Sequence, residues 1–302
     1  MSTVWLDGQF LDEQSASVSI RDTGLLHAAG VFTTMRASNG RVFRLTHHLA
    51  RLRSSCEALF IPLQYKDELL AEAVGGLLTQ NNLSDARLRI TVTRGSARQD
   101  PLHGLHLEPT CFITATDLEP YPAEFYQRGL TVIVLDEQKL NPYDMQAGHK
   151  TLNYLSRLSA LRAANQRGAG EALWFNVHNY LQSGSISNVF IVKAGALITP
   201  PTDEELRDSA VQNATAYPKS AVLPGITRQA IIDLARAAQI PVRFGSININ
   251  DLLEADEVFL TNSIMQLMPV CRIERRAVGA EKPGPITMQL SAALAQEAES
   301  AG

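Results

Sequence analysis

The sequence is poor in cysteine, in long apolar runs and in any excess of one charge. Its three cysteines among 302 residues, Cys56, Cys111 and Cys271, are scattered, form no C-x-x-C pair and leave an odd count. That pattern excludes a disulfide scaffold and reads as buried free thiols in a reducing, cytoplasmic compartment. The longest apolar runs, such as Leu130–Leu135, fall far short of the ~20 residues that span a bilayer. The stretch from Met1 to Gly8 lacks the basic start and apolar core of a signal peptide. A net charge of -4, from 27 basic and 31 acidic residues, gives no general attraction to nucleic acid. No metal site is expected: His47 and His48 are adjacent and project about 100° apart on a helix. The chain has no Walker-type or Rossmann-type glycine loop, and Ser183-Gly184-Ser185 does not fit a nucleophile elbow.

What is present is an ordinary globular composition, 45% hydrophobic and 19% charged. The length suits one or two domains. Asp7-Gly8 between Thr3–Leu6 and Gln9–Phe10 predicts a hairpin, as does Ser38-Asn39-Gly40 between Val31–Ala37 and Arg41–Leu45. Helices are expected over Thr46–Ala58, with Thr46 as cap, and over Asp67–Gln80. Strands follow at Arg87–Arg94 and Cys111–Thr116. The two prolines of Glu119-Pro120-Tyr121-Pro122 suit neither a helix nor an inner strand and mark a domain boundary. Beyond it come a strand at Leu130–Leu135, a helix at Asn153–Gln166, strands at Ala172–Val177, Val189–Val192, Leu197–Thr199, Val242–Phe244 and Val258–Leu260, and helices at Thr227–Ala238 and Pro285–Ala298. Pro200–Val222 reads as a long polar loop, a flap or linker. The expectation is α+β: a small N-terminal domain over residues 1–120 and a larger α/β domain over 121–302.

Three segments carry chemistry. Lys150, in Gly148-His149-Lys150-Thr151, follows a glycine turn and precedes an apolar helix. Positive helix-end potential and desolvation there would lower an amine's pKa, which suits a nucleophile. Leu223-Pro-Gly225-Ile226-Thr227-Arg228 would present N–H groups and a hydroxyl at a helix N-terminus, as an anion cradle does. Phe259-Leu-Thr-Asn262-Ser263 ends a strand in small hydrogen-bonding residues. Taken singly, a solvated lysine and an ordinary helix entry with Thr227 as cap are the better explanations of the first two.

In this order the segments resemble the class IV aminotransferases, the fold-type IV pyridoxal 5'-phosphate enzymes. Further matching stretches are Trp5-Leu-Asp-Gly8, Ile20-Arg-Asp22, Gly30-Val-Phe-Thr-Thr34, His48-Leu-Ala-Arg51, Lys150-Thr-Leu-Asn-Tyr154, Ser187-Asn188-Val-Phe190 and Met268-Pro-Val270. The resemblance implies a two-domain fold whose larger domain has a barrel-like sheet, a homodimer, and small-molecule amino-acid and oxo-acid substrates. It implies that Lys150 is the Schiff-base lysine and Arg51 the phosphate clamp. Gly225, Ile226 and Thr227 would cradle the phosphate, Asn262 and Ser263 would form its last wall, Asn188 would be a further cofactor-binding residue, and Tyr154 would lie beside the ring oxygen. His27, Thr34, Arg94, Arg98 and Met265 are the substrate-side candidates, with Trp174 and Ile186 as further pocket candidates.

Two positions depart from the family pattern. His27 falls near a position where relatives often place a Tyr or Phe over the substrate pocket, and could be a substrate contact, a proton carrier or a hydrogen-bonded structural histidine. The second departure is Ser183. Where relatives carry a glutamate against the protonated pyridine nitrogen, this chain has Ser183. A hydroxyl favours a neutral ring nitrogen and a weaker electron sink. The resemblance therefore leaves three readings: an aminotransferase, a 4-amino-4-deoxychorismate lyase releasing pyruvate and 4-aminobenzoate, or a homologue impaired in catalysis. It also implies that Ser183→Glu raises transamination.

Overall fold

The computed structural model describes residues 2–100, 104–213 and 219–300, without the side chains of 97–100, 104–106, 137, 210–213 and 300. The chain forms two compact units. One runs to Glu119 and takes in His149–Asn153 and the chain from Ala298; the other holds Pro120–Gly148 and Tyr154–Glu297.

The first unit contains β1 (Thr3–Leu6), β2 (Gln9–Asp12), α1 (Thr23–His27), β3 (Gly30–Ser38), β4 (Arg41–Val42), α2 (Leu45–Ala58), α3 (Asp67–Gln80), β5 (Ala86–Asp100) and β6 (Gly104–Asp117). Its strands are ordered β2-β1-β6-β5-β3-β4. Helices α2 and α3 bury Leu49, Leu52, Leu70, Val74 and Leu77 with Trp5, Met35, Leu88, Ile90 and Ile113 of the sheet. Each fully buried side chain of this size contributes about 1.5–3 kcal/mol. Helix α2 starts one residue earlier than its composition suggests. Its N-cap is Arg44, in the left-handed region and without a side-chain cap, and Thr46 lies inside the helix.

The β5–β6 hairpin is much longer than periodicity predicts. Its register runs from Ala86 opposite Asp117 to Asp100 opposite Gly104, with a shift between Thr93 and Ser96. Gly95 makes the shift possible: its φ is +75°, and a Cβ there would lie 1.7 Å from the Glu108 carbonyl oxygen. The bulge interrupts the alternation of side chains, which is why the strand reads as ending near Arg94.

The second unit contains α4 (Ala123–Arg128), β7 (Leu130–Leu140), α5 (Leu155–Gln166), β8 (Glu171–Asn176), β9 (Leu181–Gly184), β10 (Asn188–Lys193), β11 (Ala196–Thr199), α6 (Asp203–Asn213), α7 (Ile226–Ala237), β12 (Val242–Phe244), α8 (Ile249–Leu253), β13 (Glu257–Asn262), β14 (Gln266–Ile273), β15 (Arg276–Ala277) and α9 (Pro285–Ser300). Its sheet runs β12-β11-β10-β13-β14-β7-β8-β9, with β15 on β14. Every residue of β8 is buried, so the polar ones among them must find partners inside the unit.

The stretch expected as a polar loop contains helix α6. Thr202 Oγ1 accepts from the Glu205 N–H, and Glu205 Oε2 accepts from the Thr202 N–H. This is a reciprocal capping box, legible in Thr202-Asp203-Glu204-Glu205. Glu205 also takes both Nη atoms of Arg228, at 2.8 and 2.7 Å, and Arg228 is only 1% exposed. The three cysteines are buried and unpaired. Among the described residues no helix is long and apolar enough to cross a membrane, and no cluster of acidic, His or Cys side chains suits a metal ion.

Candidate active site

In the first unit the chain returns to lay Lys150 against β3. Phe32 N–H donates to the Lys150 carbonyl at 2.9 Å, and Leu152 N–H donates to the Gly30 carbonyl at 2.9 Å. Val31 and Thr151 form an antiparallel bridge. Gly30 is needed here: a Cβ would come within 2.6 Å of Leu152 Cδ1 and 2.8 Å of the Val92 carbonyl oxygen. Lys150 therefore sits on a strand-like segment, and α5 begins only at Leu155 with Tyr154 as its N-cap. The expectation of a lysine at a helix N-terminus is corrected accordingly. Lys150 Nζ lies 4.6 Å from the Phe32 ring centroid, and Arg89 Cζ lies 3.5 Å from the same centroid.

A hydrogen-bonded chain through Thr33 to His48 orients Arg51. Its Nη2 donates to Thr33 Oγ1 at 3.1 Å, and Thr33 Oγ1 lies 2.8 Å from His48 Nδ1. A guanidinium only donates, so the threonine oxygen accepts from Arg51 and its own proton goes to His48. His48 Nδ1 is thus an unprotonated acceptor. Burial, followed by the charges of Arg51, His47 and Lys150, holds His48 well below the usual histidine range. His149 Nδ1 meets Ser55 Oγ at 3.0 Å, fastening the lysine segment to α2. Burial also lowers the His149 pKa.

The substrate-side candidates of this unit are spread out. Thr34 shares a strand face with Phe32 and stands opposite Arg89. His27 ends α1 and is exposed. Arg94 is exposed within β5 rather than at a turn, and its N–H donates to the Ala29 carbonyl. Arg98 pairs with His106 in the same hairpin, and its side chain lies outside the described residues. Neither Phe32 nor Arg89 stands out in the sequence, because aromatic–cation stacking across neighbouring strands has no linear signature. Asp22 is fully buried and accepts from the Thr93 and Thr110 hydroxyls and the Gly24 N–H, which fixes α1.

In the second unit a turn joins β9 to β10. Ser183 pairs with Trp174 and is 5% exposed. Glu171, on β8, is buried beneath the turn. It accepts from the Ser185 N–H (2.7 Å), the Ile186 N–H (3.3 Å) and the Ser187 hydroxyl (3.1 Å). Burial outweighs these bonds and pushes the carboxyl up to about 7. A Cβ on Gly184 would come within 2.2 Å of Ser187 Oγ. Arg157, from α5, donates through Nη1 to the Gly184 and Ser185 carbonyls and more distantly to Ser183 Oγ. Its guanidinium stacks over the Trp174 and Tyr154 rings, and Trp174 Nε1 donates to Ser185 Oγ.

Asn188 ties this turn to the start of α7. Its Nδ2 donates to the Leu223 carbonyl, and its Oδ1 would stand 2.0 Å from a Cβ on Gly225. Gly225 is the N-cap and no side chain caps the first turn, so Ile226 and Thr227 open the helix with N–H groups that lack an intrahelical partner. Asn262 Oδ1 accepts from the Ile264 and Met265 N–H groups and closes the β13–β14 turn beside half-buried Ser263. Met265 is 2% exposed and belongs to the core of the unit. Thr261 Oγ1, just before this turn, is buried without a hydrogen-bond partner.

The family model for class IV amino-transferases matches residues 30–273. The chain belongs to the class IV aminotransferases. A Methanocaldococcus jannaschii protein with a provisional branched-chain-amino-acid aminotransferase name is 35% identical over 289 residues, covering 95% of this chain and 93% of that protein. A D-alanine aminotransferase of Listeria monocytogenes is 31% identical over 300 residues, covering 97% and 95%. The crystal structure of the Escherichia coli branched-chain amino acid aminotransferase superposes with a TM-score of 0.86 at 28% identity, covering 98% of this chain and 94% of that one. This chain is an aminotransferase of the same fold type, and its cofactor is pyridoxal phosphate.

The residues present suit such a group. The α7 entry is a donor set with no side-chain cap, in which a glycine keeps the N-terminus open. Thr261 supplies a buried hydroxyl that lacks a partner. An anion is what such donors need, and Lys150 supplies the amine that an aldehyde needs.

Proposed function

We propose that this aminotransferase moves an amino group between an amino acid and a 2-oxo acid, with Lys150 as the residue that carries the cofactor and handles the proton. The setting of Lys150 carries the reading. The segment is hydrogen-bonded to β3, fastened to α2 through His149, and directs Nζ over Phe32.

When bound, the cofactor supplies an aldehyde for the amino group and a conjugated ring that spreads charge from the substrate carbon. The chain's residues do the rest. Lys150 would hold the cofactor covalently and, once released, take the proton from the substrate α-carbon at Nζ. Arg51, oriented by Thr33, would pair with phosphate oxygens. In the second unit Gly225, Ile226 and Thr227 would offer N–H groups and a hydroxyl to the phosphate, with Asn262 and Ser263 as further polar groups for it. Asn188 holds the Leu223 carbonyl through its Nδ2. Tyr154 and Ser183 would serve the ring, and Thr34 the substrate side. The family resemblance supports a homodimer, which light scattering of the purified protein tests.

Borohydride reduction of protein loaded with pyridoxal phosphate, followed by peptide mass analysis, is expected to mark Lys150. A panel of branched-chain L-amino acids and D-alanine with 2-oxo acids should show amino exchange. A mark on another residue overturns the role of Lys150. Release of 4-aminobenzoate from aminodeoxychorismate, without exchange, replaces transfer by lysis. Silence on both substrates makes the chain an impaired homologue.

A further inference from the structure

We propose that Arg157 replaces the carboxylate missing at Ser183 with a charge of opposite sign, so that the cofactor's ring nitrogen is kept unprotonated. The proposal rests on the cofactor reading above and concerns residues of the second unit alone.

The hydrogen bonds set the polarity. Arg157 Nη1 lies 3.1 Å from the Gly184 carbonyl oxygen, 3.0 Å from the Ser185 carbonyl oxygen and 3.4 Å from Ser183 Oγ. A guanidinium has donors only, so Ser183 Oγ accepts in that contact and keeps its own proton to donate. A donating hydroxyl complements the lone pair of an unprotonated pyridine nitrogen. A pyridinium N–H would need an acceptor, which the serine oxygen supplies poorly once it faces Arg157. The guanidinium also disfavours a second positive charge beside it.

The neighbourhood does not cancel this charge. Among the described residues no carboxylate lies within ion-pair distance of Arg157, whose polar contacts are the two carbonyls and Ser183. Tyr154 and Glu171 are the titratable groups that act on it. Glu171 is turned to the Ser185 and Ile186 N–H groups and to Ser187, and burial favours its neutral form. Stacking on Trp174 and Tyr154 keeps the guanidinium from swinging away. Arg157 is thus a positioning residue, acting through Ser183 and through its charge.

This changes the expectation for Ser183→Glu. A carboxylate introduced there would meet Arg157 and form an ion pair, which uses the new charge before it reaches a ring nitrogen. Restoring the family arrangement requires Ser183→Glu together with Arg157→Ser.

The test is nitrogen-15 NMR of the full-length protein loaded with pyridoxal phosphate labelled at the ring nitrogen, with borohydride marking of Lys150 run on the same sample. The wild-type resonance is expected at the position of an unprotonated pyridine. It should stay there in Ser183→Glu and move to the pyridinium position in Ser183→Glu/Arg157→Ser. A marked Lys150 with a pyridinium resonance in the wild type, which needs no variant to fold, overturns the proposal alone. So does a pyridinium resonance in Ser183→Glu by itself. Absence of the mark overturns the cofactor reading, and the proposal with it.

Discussion

Thr33 bridges two groups, accepting from Arg51 and donating its hydroxyl proton to His48. Thr33→Val would remove the acceptor for Arg51 and strand His48 Nδ1 in a site only 1% exposed. The loss of a buried partner costs about 1–3 kcal/mol, and urea unfolding of the cofactor-free protein should read it. Gly225→Ala acts differently. Gly225 has an ordinary φ of -70°, so the backbone tolerates alanine, but the new Cβ would meet Asn188 Oδ1 at 2.0 Å. Cofactor affinity, followed by fluorescence titration, is expected to fall by more than tenfold, which is about 1.4 kcal/mol. An unchanged affinity would remove Gly225 from the cradle. At this scale the sequence singles out Lys150, Arg51 and Gly225 as candidates, because fixed local patterns surround them. Arg157 is hidden, since its partners are carbonyls on a turn far along the chain, and a lone arginine on a helix reads as solvated.

Elements were legible where their period was uninterrupted. Helices α3 and α7 and the hairpin at Asn39-Gly40 follow directly from spacing and turn chemistry. Two elements were obscured for local reasons. The Gly95 bulge broke the alternation of β5, and the polar surface of α6 concealed a capping box. The lysine segment reads as a helix entry because its partners on β3 are distant in sequence. Helix α6 owes its place to Glu205, which holds the buried Arg228 guanidinium with both oxygens. Glu205→Ala would leave that cation unpaired, and breaking a buried pair costs about 3–5 kcal/mol. Thermal unfolding should show the loss, whereas Asp208→Ala, on the exposed side of the same helix, should change little.

Across the whole molecule, the two units carry opposite responses to pH. In the first, His48 is held well below its ordinary value of 6.5. Its contribution is present above pH 6.5 and is lost as the pH falls toward the depressed value, because the unfolded state then binds the extra proton. In the second, Glu171 is raised from 4.5 to about 7. Its contribution is complete below pH 4.5 and is lost as the pH rises through 7, by roughly 3 kcal/mol across that window. Native-state hydrogen exchange, read unit by unit between pH 5 and 7.5, is expected to show protection falling with acid around α2 and falling with base around β8. Glu171→Gln should flatten the second trend and leave the first. Parallel trends in both units would contradict the assignment.

The return of His149–Asn153 to β3 also has a consequence for how the chain is made. During synthesis the N-terminal strands leave the ribosome first, with the Phe32 N–H and the Gly30 carbonyl on an open edge. Their partners at Lys150 and Leu152 are translated only after all of β4 to β7. Until then β3 presents the kind of unpaired edge on which nascent chains pair wrongly. The segment that brings in the lysine is therefore also the last edge seal of the first sheet. A stalled or truncated product ending before His149 would lack Lys150 and, in the same stroke, the protection of this edge against self-association.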